Sequence, residues 1–347
     1  MTFSERYAAL LGLGGLLGEI ADQPGAEPVF EQARNRQPWF TAETIRQSIR
    51  AWSAALQEPS LKAWIASYPE LTHYTGSKLV GTVNAGNIPF VGLHDLLCVF
   101  LAGHRYQAKN ASEDPILLPW LVQEWSKQYP EIADRISFVE RLTGCDAYIA
   151  TGSDNSSRYF EYYFGRYPHI IRRNRNGIAI LSGHESDEQL AGLGKDVFSY
   201  YGLGCRNVSK LFVPADYDMA RFFEAMYPFH HVMGHHKYMN NFDHHHTVYL
   251  LKSVPFLQNN FLILKEESVA IASPLAVVYY ERYNDLDQLL DKLKQKSEMI
   301  QCAVADAALH SKLAECGLRR VDFGETQHPG LADYADGTDT MRFLLGL

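Results

Sequence analysis

Apolar positions recur at three- and four-residue spacing through "TIRQSIRAWSAALQ" and "SLKAWIASY", and that period predicts amphipathic helices over residues 1–70. From "SKLVGTVNAG" onward the pattern changes. Short β-branched runs ("RYQAKN", "RISFVE", "YIATGS") alternate with longer amphipathic stretches ("FVGLHDLLCVFLAG", "PILLPWLVQEWSKQY", "SSRYFEYYFG"), with Gly, Asn and Pro at the junctions. Strands alternating with helices predict βαβ units and a parallel sheet. A second alternating set starts at "GIAILSG" and runs through "DEQLAGLGKDVFSYYG", "SKLFVP", "FLILKEE", "LAVVYYERY" and "LDQLLDKLKQKSE". The expected organisation is a helical segment at 1–70 packed on the core, a dinucleotide-binding domain at 71–181, a catalytic domain at 182–322, and a tail at 323–347 that packs back on the core.

Composition narrows the class. A chain of 347 residues with 46% hydrophobic and 21% charged content can bury two domains sharing a continuous core. A formal net charge of −8 offers no global attraction to nucleic acid or to an anionic membrane. Five cysteines at irregular spacing, with no CxxC pair, make neither a disulfide framework nor a zinc ribbon and suit a reducing cytoplasm. The apolar N-terminal stretch carries Glu5 beside Arg6 and reaches Glu19 too soon to span a bilayer, so it reads as a helix and not as a signal.

Three junctions carry candidate chemistry. "VNAGNIPF" puts the Asn87 amide after a strand, where open α/β sheets receive ligands and an amide can donate to an oxyanion. Lys109 ends the next strand, within reach of a phosphate or ribose on the same rim. The alternative for both, and the better one for either alone, is turn chemistry and a solvated strand end. "YIATGSDNSSRYF" is a strand, a Thr-Gly-Ser turn and a helix start, which suits a pyrophosphate and is also plain helix capping. Cys205, in "YYGLGCRNVSKLFVP", follows a Gly-Leu-Gly turn and precedes Arg206. At the entrance to a new helix, unpaired N–H groups and a nearby guanidinium favour thiolate over thiol; the alternative is a small residue in a tight turn. The His-rich run "FHHVMGHHKYMNNFDHHHTVYL" has no HExxH core and no placed carboxylate, so it reads as an aromatic-lined loop and helix, not a metal centre. Its aromatic residues and those of "RYFEYYFGRY" would suit an apolar acyl tunnel.

Taken in order, "NAGNIP", "KNASEDP", "ATGS" and "GLGC" resemble the aldehyde dehydrogenase superfamily, and more closely its acyl-CoA reductase branch, the fatty-acid reductases of bacterial bioluminescence. "FGRYPHIIRRNRNGIAILSG", "HHKYMNNFD" and "DYADGTDTMRFLL" extend the resemblance from residue 70 to the end. The first seventy residues carry no such match.

The resemblance implies an α/β, aldehyde dehydrogenase-like fold of two Rossmann-like three-layer domains with a helical N-terminal segment. Cys205 matches the nucleophile and Asn87 the oxyanion amide. Lys109 matches the lysine at the adenosine ribose or its phosphate, and Thr151, Gly152 and Ser153 match the turn near the dinucleotide phosphates. Ser112 stands where NAD-preferring relatives often carry a glutamate, which favours NADPH over NADH as donor. Where oxidising members have Glu-Leu-Gly-Gly-Lys this chain reads "IRRNR", so the glutamate that activates water is missing. The ribose-binding glutamate of Glu-Ile-Phe-Gly-Pro is replaced by Ala270 in "AIASP", with Glu266 or Glu267 as compensating candidates.

The implied activity is reduction of an acyl-CoA, of fatty type, to the aldehyde with release of coenzyme A through an acyl-cysteine, without a metal. Expected partners are an acyl-CoA or acyl-carrier thioester, an acyl-transferring protein and a second copy of the chain. An oxidising aldehyde or semialdehyde dehydrogenase, and a non-catalytic nucleotide-binding relative, are the alternatives.

Overall fold

A computed structural model describes residues 1–22, 25–152 and 154–347, and divides them into two units: residues 1–174 with 328–347, and residues 175–327. Strands of the first unit are β1 (Leu79–Val83), β2 (Arg105–Lys109), β3 (Ile136–Phe138), β4 (Ala147–Thr151) and β5 (His169–Arg172). They pair in parallel in the order β3-β2-β1-β4-β5. Because the chain winds from β1 outward to β3 and then returns to the other side of β1 at β4, the order reverses between β1 and β4. Carboxyl ends at such a reversal leave the crevice in which open α/β sheets bind ligands.

Helices Phe3–Asp22, Glu27–Arg36, Ala42–Ala55 and Glu58–Ala66 precede this sheet. Their apolar positions, among them Leu10, Leu13, Leu17, Ile45, Ile49, Leu61 and Trp64, share one core with Val80, Tyr106 and the helix Leu93–Leu101. Two polar side chains inside that core find partners across long sequence distances. Arg6 donates through Nε to the Leu101 carbonyl at 3.0 Å, and Trp125 Nε1 donates to the Ala9 carbonyl at 2.9 Å. The final residues belong to the same unit: Trp64 Nε1 donates to the Tyr334 hydroxyl at 2.7 Å, and the Tyr68 hydroxyl to Asp339 Oδ2 at 2.8 Å.

Strands of the second unit are β6 (Asn176–Ile180), β7 (Val208–Pro214), β8 (Leu257–Gln258), β9 (Ile263–Glu266), β10 (Val277–Tyr283), β11 (Ile300–Ala305) and β12 (Arg320–Val321). Their order is β12-β11-β6-β7-β10-β9-β8, parallel except for the β8–β9 hairpin. Each unit is thus an α/β layer built on its own sheet, as expected.

The units meet at 174/175 and not at 181/182. The expected boundary assigned β6 to the first domain, whereas pairing with β7 and β11 puts it at the middle of the second sheet. The second unit also runs past 322, to Gln327, because Asp196 accepts hydrogen bonds from the backbone of Gly324 and Thr326. Among the described residues, no helix is long and apolar enough to cross a membrane.

Candidate functional site

In the first unit the loop after β1 leaves the sheet at its carboxyl edge. Asn84, buried, donates through Nδ2 to the Tyr106 hydroxyl (3.1 Å) and to Asn110 Oδ1 (2.9 Å), and its backbone N–H donates to the Lys109 carbonyl (3.0 Å). One short side chain therefore ties the loop bearing Asn87 to the end of β2. Gly86 makes the same approach by shape, since a Cβ there would lie 2.9 Å from the Ala111 side chain. From the N-terminal helical region, Gln37 Nε2 donates to the Gly86 carbonyl at 2.9 Å and Ser48 Oγ to the Pro89 carbonyl at 3.1 Å. Asn87 itself is half-buried on this braced loop.

Lys109 ends β2 and is exposed; Val83 of β1 pairs with Lys109 on one side and with Ala150 of β4 on the other. Thr151 is the last residue of β4 and Gly152 follows it. Asn87, Lys109, Thr151 and Gly152 are thus gathered on one edge of one sheet, at the reversal of strand order. Ser153 lies outside the described residues. Ser112 is exposed on the turn after β2, and its hydroxyl donates to Glu113 Oε2 at 2.9 Å, so a carboxylate stands beside the position read as lacking one. On the same turn, burial pushes the Asp114 carboxyl up to about 6 while its Oδ1 accepts from the Leu117 backbone at 3.2 Å.

The stretch "IRRNR" begins at the end of β5, the edge strand of this sheet. Arg172, last in β5, is buried and forks onto both oxygens of Asp95, at 2.6 and 2.8 Å, and onto the Thr340 hydroxyl at 2.9 Å. Its neighbour Arg173 lies 3.8 Å from Glu161.

Cys205 belongs to the second unit. The helix Asp187–Phe198 ends, the chain passes through left-handed backbone at Tyr200, Tyr201 and Gly202, and Cys205 sits in a turn that feeds β7. No helix begins at Cys205, so the expected thiolate-favouring helix terminus does not occur: the following residues are a β-branched strand, and Asn207 supplies the cap to the preceding helix instead. Arg206 is also turned inward, where its Nε donates to the Thr326 carbonyl. What singles out Cys205 is exposure. Cys98, Cys145, Cys302 and Cys316 are buried, and burial raises each thiol above its ordinary range, Cys302 to about 11.

Asn207 is the residue that sequence reasoning passed over. Gly204 N donates to Asn207 Oδ1 at 2.8 Å, and Asn207 N donates back to the Gly204 carbonyl at 3.0 Å, closing the turn around Cys205. A Cβ at Gly204 would meet that oxygen at 2.8 Å, so glycine is required there by close approach. An asparagine two residues after a candidate nucleophile was the available signal. A small cavity of about 40 Å³, lined by Tyr201, Gly202, Gly204, Asn207 and Tyr238 among others, adjoins this turn; it has room for a water or two but not for an acyl chain. Of the tunnel candidates in "RYFEYYFGRY", Tyr159, Tyr162 and Tyr163 are exposed, while Phe160, Phe164 and Tyr167 are half-buried.

Of the candidates to replace the ribose-binding glutamate, Glu267 is committed to its own loop. It accepts from Lys265 Nζ (2.7 Å) and from the backbone of Val269 and Ala270, and these donors hold its carboxyl down at about 2. The His-rich run folds as a 3₁₀ segment, Tyr227–Gly234, followed by the helix His236–Leu251. Among the described residues, no group of three or more His, Cys, Asp or Glu side chains is arranged to hold a metal ion.

No protein-family model and no curated protein matches the sequence. Solved structures do match the fold. An indole-3-acetaldehyde dehydrogenase of P. syringae, in complex with NAD+ and IAA, superposes with a TM-score of 0.66 at 13% identity over 93% of this chain and 77% of its own. Aldehyde dehydrogenase 21 of Physcomitrella patens, in complex with the reaction product succinate, gives 0.65 at 12% identity over 100% and 84%. An NADP-dependent enzyme of E. coli gives 0.67 at 14% identity over 93% and 78%. The chain has the fold of the aldehyde dehydrogenases.

Proposed function

We propose that this chain reduces an acyl thioester, of fatty acyl-CoA type, to the aldehyde through an acyl-cysteine at Cys205. The observation that carries this reading is the occupant of the glutamate motif. Arg172 is locked onto Asp95 and Arg173 lies against Glu161, so that stretch offers no base to a hydrolytic water. An acyl-cysteine that water does not cleave remains open to reduction.

Lys109 and the Thr151–Gly152 turn would hold a nicotinamide dinucleotide: an exposed ammonium and a strand-end turn at the reversal of strand order suit a ribose and phosphates. When bound, that group supplies hydride to the acyl carbon. The chain's own residues do the rest. The Cys205 thiolate attacks the thioester carbonyl, forming a new C–S bond, and the bond to coenzyme A breaks with its sulfur taking up a proton. The Asn87 amide donates to the oxyanion. After reduction the bond to Cys205 breaks, releasing aldehyde and restoring the thiolate. Ser112 in place of a glutamate makes NADPH the proposed donor, and the Glu113 carboxylate that accepts from its hydroxyl makes NADH the one to compare.

Acyl-CoAs of graded chain length, with NADPH and with NADH, test this by aldehyde detection. Cys205→Ala should abolish both aldehyde formation and acyl labelling; retained turnover would sink the assignment. The shared fold favours aldehyde oxidation as the second reading, and rapid NADP-linked oxidation of an aldehyde without coenzyme A would establish it instead.

A further inference from the structure

The route to Cys205 passes through backbone that is costly for residues with a Cβ. Tyr200, Tyr201 and Gly202 have φ values of 51°, 57° and 82° in succession. At a non-glycine residue this conformation costs on the order of 1–3 kcal/mol and persists only where surrounding contacts over-determine it. Tyr201 packs on His235 and Tyr238, and hydrogen bonds from both ends of the segment converge on one side chain.

Asn207 is 3% exposed. Its Nδ2 donates to the carbonyls of Asp196 (3.0 Å), Val197 (3.3 Å) and Ser199 (2.9 Å), while its Oδ1 accepts from Gly204 N (2.8 Å). One amide therefore grips the end of the helix Asp187–Phe198 on one side and the Cys205 turn on the other. Its backbone fixes a third point, since the Asn207 carbonyl accepts from Gly177 N, in β6, at 3.0 Å. Cys302 Sγ, 3.7 Å from the Arg206 carbonyl, contacts the same turn from β11. Among short side chains only asparagine carries two N–H donors and an acceptor in one plane: aspartate keeps the acceptor and loses the donors, and serine keeps one donor.

We propose that Asn207 is the positioning residue of the nucleophile, its amide fixing the direction of the Cys205 thiol and backbone N–H by clamping the left-handed segment against the helix end. This rests on Cys205 being the acyl-carrying residue. An amide that served the fold alone would change how many molecules are folded; a positioning amide changes what each folded molecule does.

The full chain is compared with Asn207→Ala, Asn207→Ser and Asn207→Asp. Each is assayed for thermal unfolding, for the pH dependence of Cys205 alkylation by iodoacetamide, and for turnover of acyl-CoA per alkylatable Cys205, with Cys205→Ala as the blank. In Asn207→Ala, kcat per titrated site is expected to fall about 100-fold, the effect of a misplacement near 1 Å, with KM unchanged. In Asn207→Asp the protonated carboxyl can donate to one carbonyl and the ionised form cannot, so its activity per site relative to the parent falls as pH rises; Asn207→Ala lacks that dependence.

Where the alanine variant does not fold, the serine and aspartate variants carry the comparison. Turnover retained in Cys205→Ala overturns the nucleophile assignment and this proposal together. Turnover lost there, but unchanged per titrated site in the Asn207 variants along with an unchanged alkylation profile, overturns this proposal alone.

Discussion

Gln37 reaches the loop of Asn87 through a single hydrogen bond, from its Nε2 to the carbonyl of Gly86 at 2.9 Å. A segment without any recognisable motif thereby braces the loop proposed to bind the oxyanion. Gln37→Ala leaves a carbonyl without this donor and is expected to cost about 1 kcal/mol of stability. It should also lower kcat by more than the loss of folded protein explains, which unfolding curves measured beside steady-state kinetics will show; an unchanged kcat would make the brace purely structural.

Asn87→Ala removes the neutral donor proposed for the oxyanion. Loss of one oxyanion donor lowers kcat by about 10²–10³-fold. Acyl labelling of Cys205, followed by quench and mass spectrometry, should slow in the same proportion, because attack on the thioester is the step that creates the oxyanion. Labelling at the parent rate would remove Asn87 from this role.

The buried fork of Arg172 on Asp95 makes an asymmetric prediction. Asp95→Ala strands a guanidinium in the core and should cost about 3–5 kcal/mol, whereas removing both charges with Asp95→Leu and Arg172→Met recovers most of the loss. Denaturant titration of the three proteins decides it. A double variant no better than the single would mean that the pair stabilises by more than mutual neutralisation.

Asp196 gives a pH signature. Burial raises its folded carboxyl from 3.8 to about 6, despite the hydrogen bonds from Gly324 and Thr326. Between those values the folded state holds a proton that the unfolded state has released, so the contribution of this group to stability is greatest below the unfolded value. It declines as pH rises through the folded one and is level beyond. Relative to Asp196→Asn, the parent should lose about 1.4 kcal/mol per pH unit at most inside that window. Urea unfolding of both proteins at pH values on either side of the window tests the sign; a difference independent of pH would show that Asp196 titrates normally.

Much of the architecture was legible where the cause is local. The alternation through "SKLVGTVNAG" and "RYQAKN" marks strands because a period of two needs only neighbouring residues, and the glycines of "GLGC" mark a turn for the same reason. Structure and expectation differ where the deciding partner lies outside the local pattern. Cys205 was expected at a helix entrance, but its turn is set by Asn207 bonding back to carbonyls of residues 196, 197 and 199. The Gly-x-Gly signal cannot tell a turn that starts a helix from one that feeds a strand. β6 was assigned to the wrong domain because nothing within "NGIAI" records that it pairs with β7 and β11.

From the sequence alone came the alternation of element types and the candidates Cys205, Asn87 and Lys109, each following from residue type and spacing. Tertiary structure alone decided which strand ends lie side by side, that Gln37 and Ser48 brace the Asn87 loop, and that four of the five thiols are buried while Cys205 is exposed. Periodicity is a property of a few consecutive residues, whereas burial and hydrogen-bond partnership depend on pairings between residues outside that window, which local patterning does not encode.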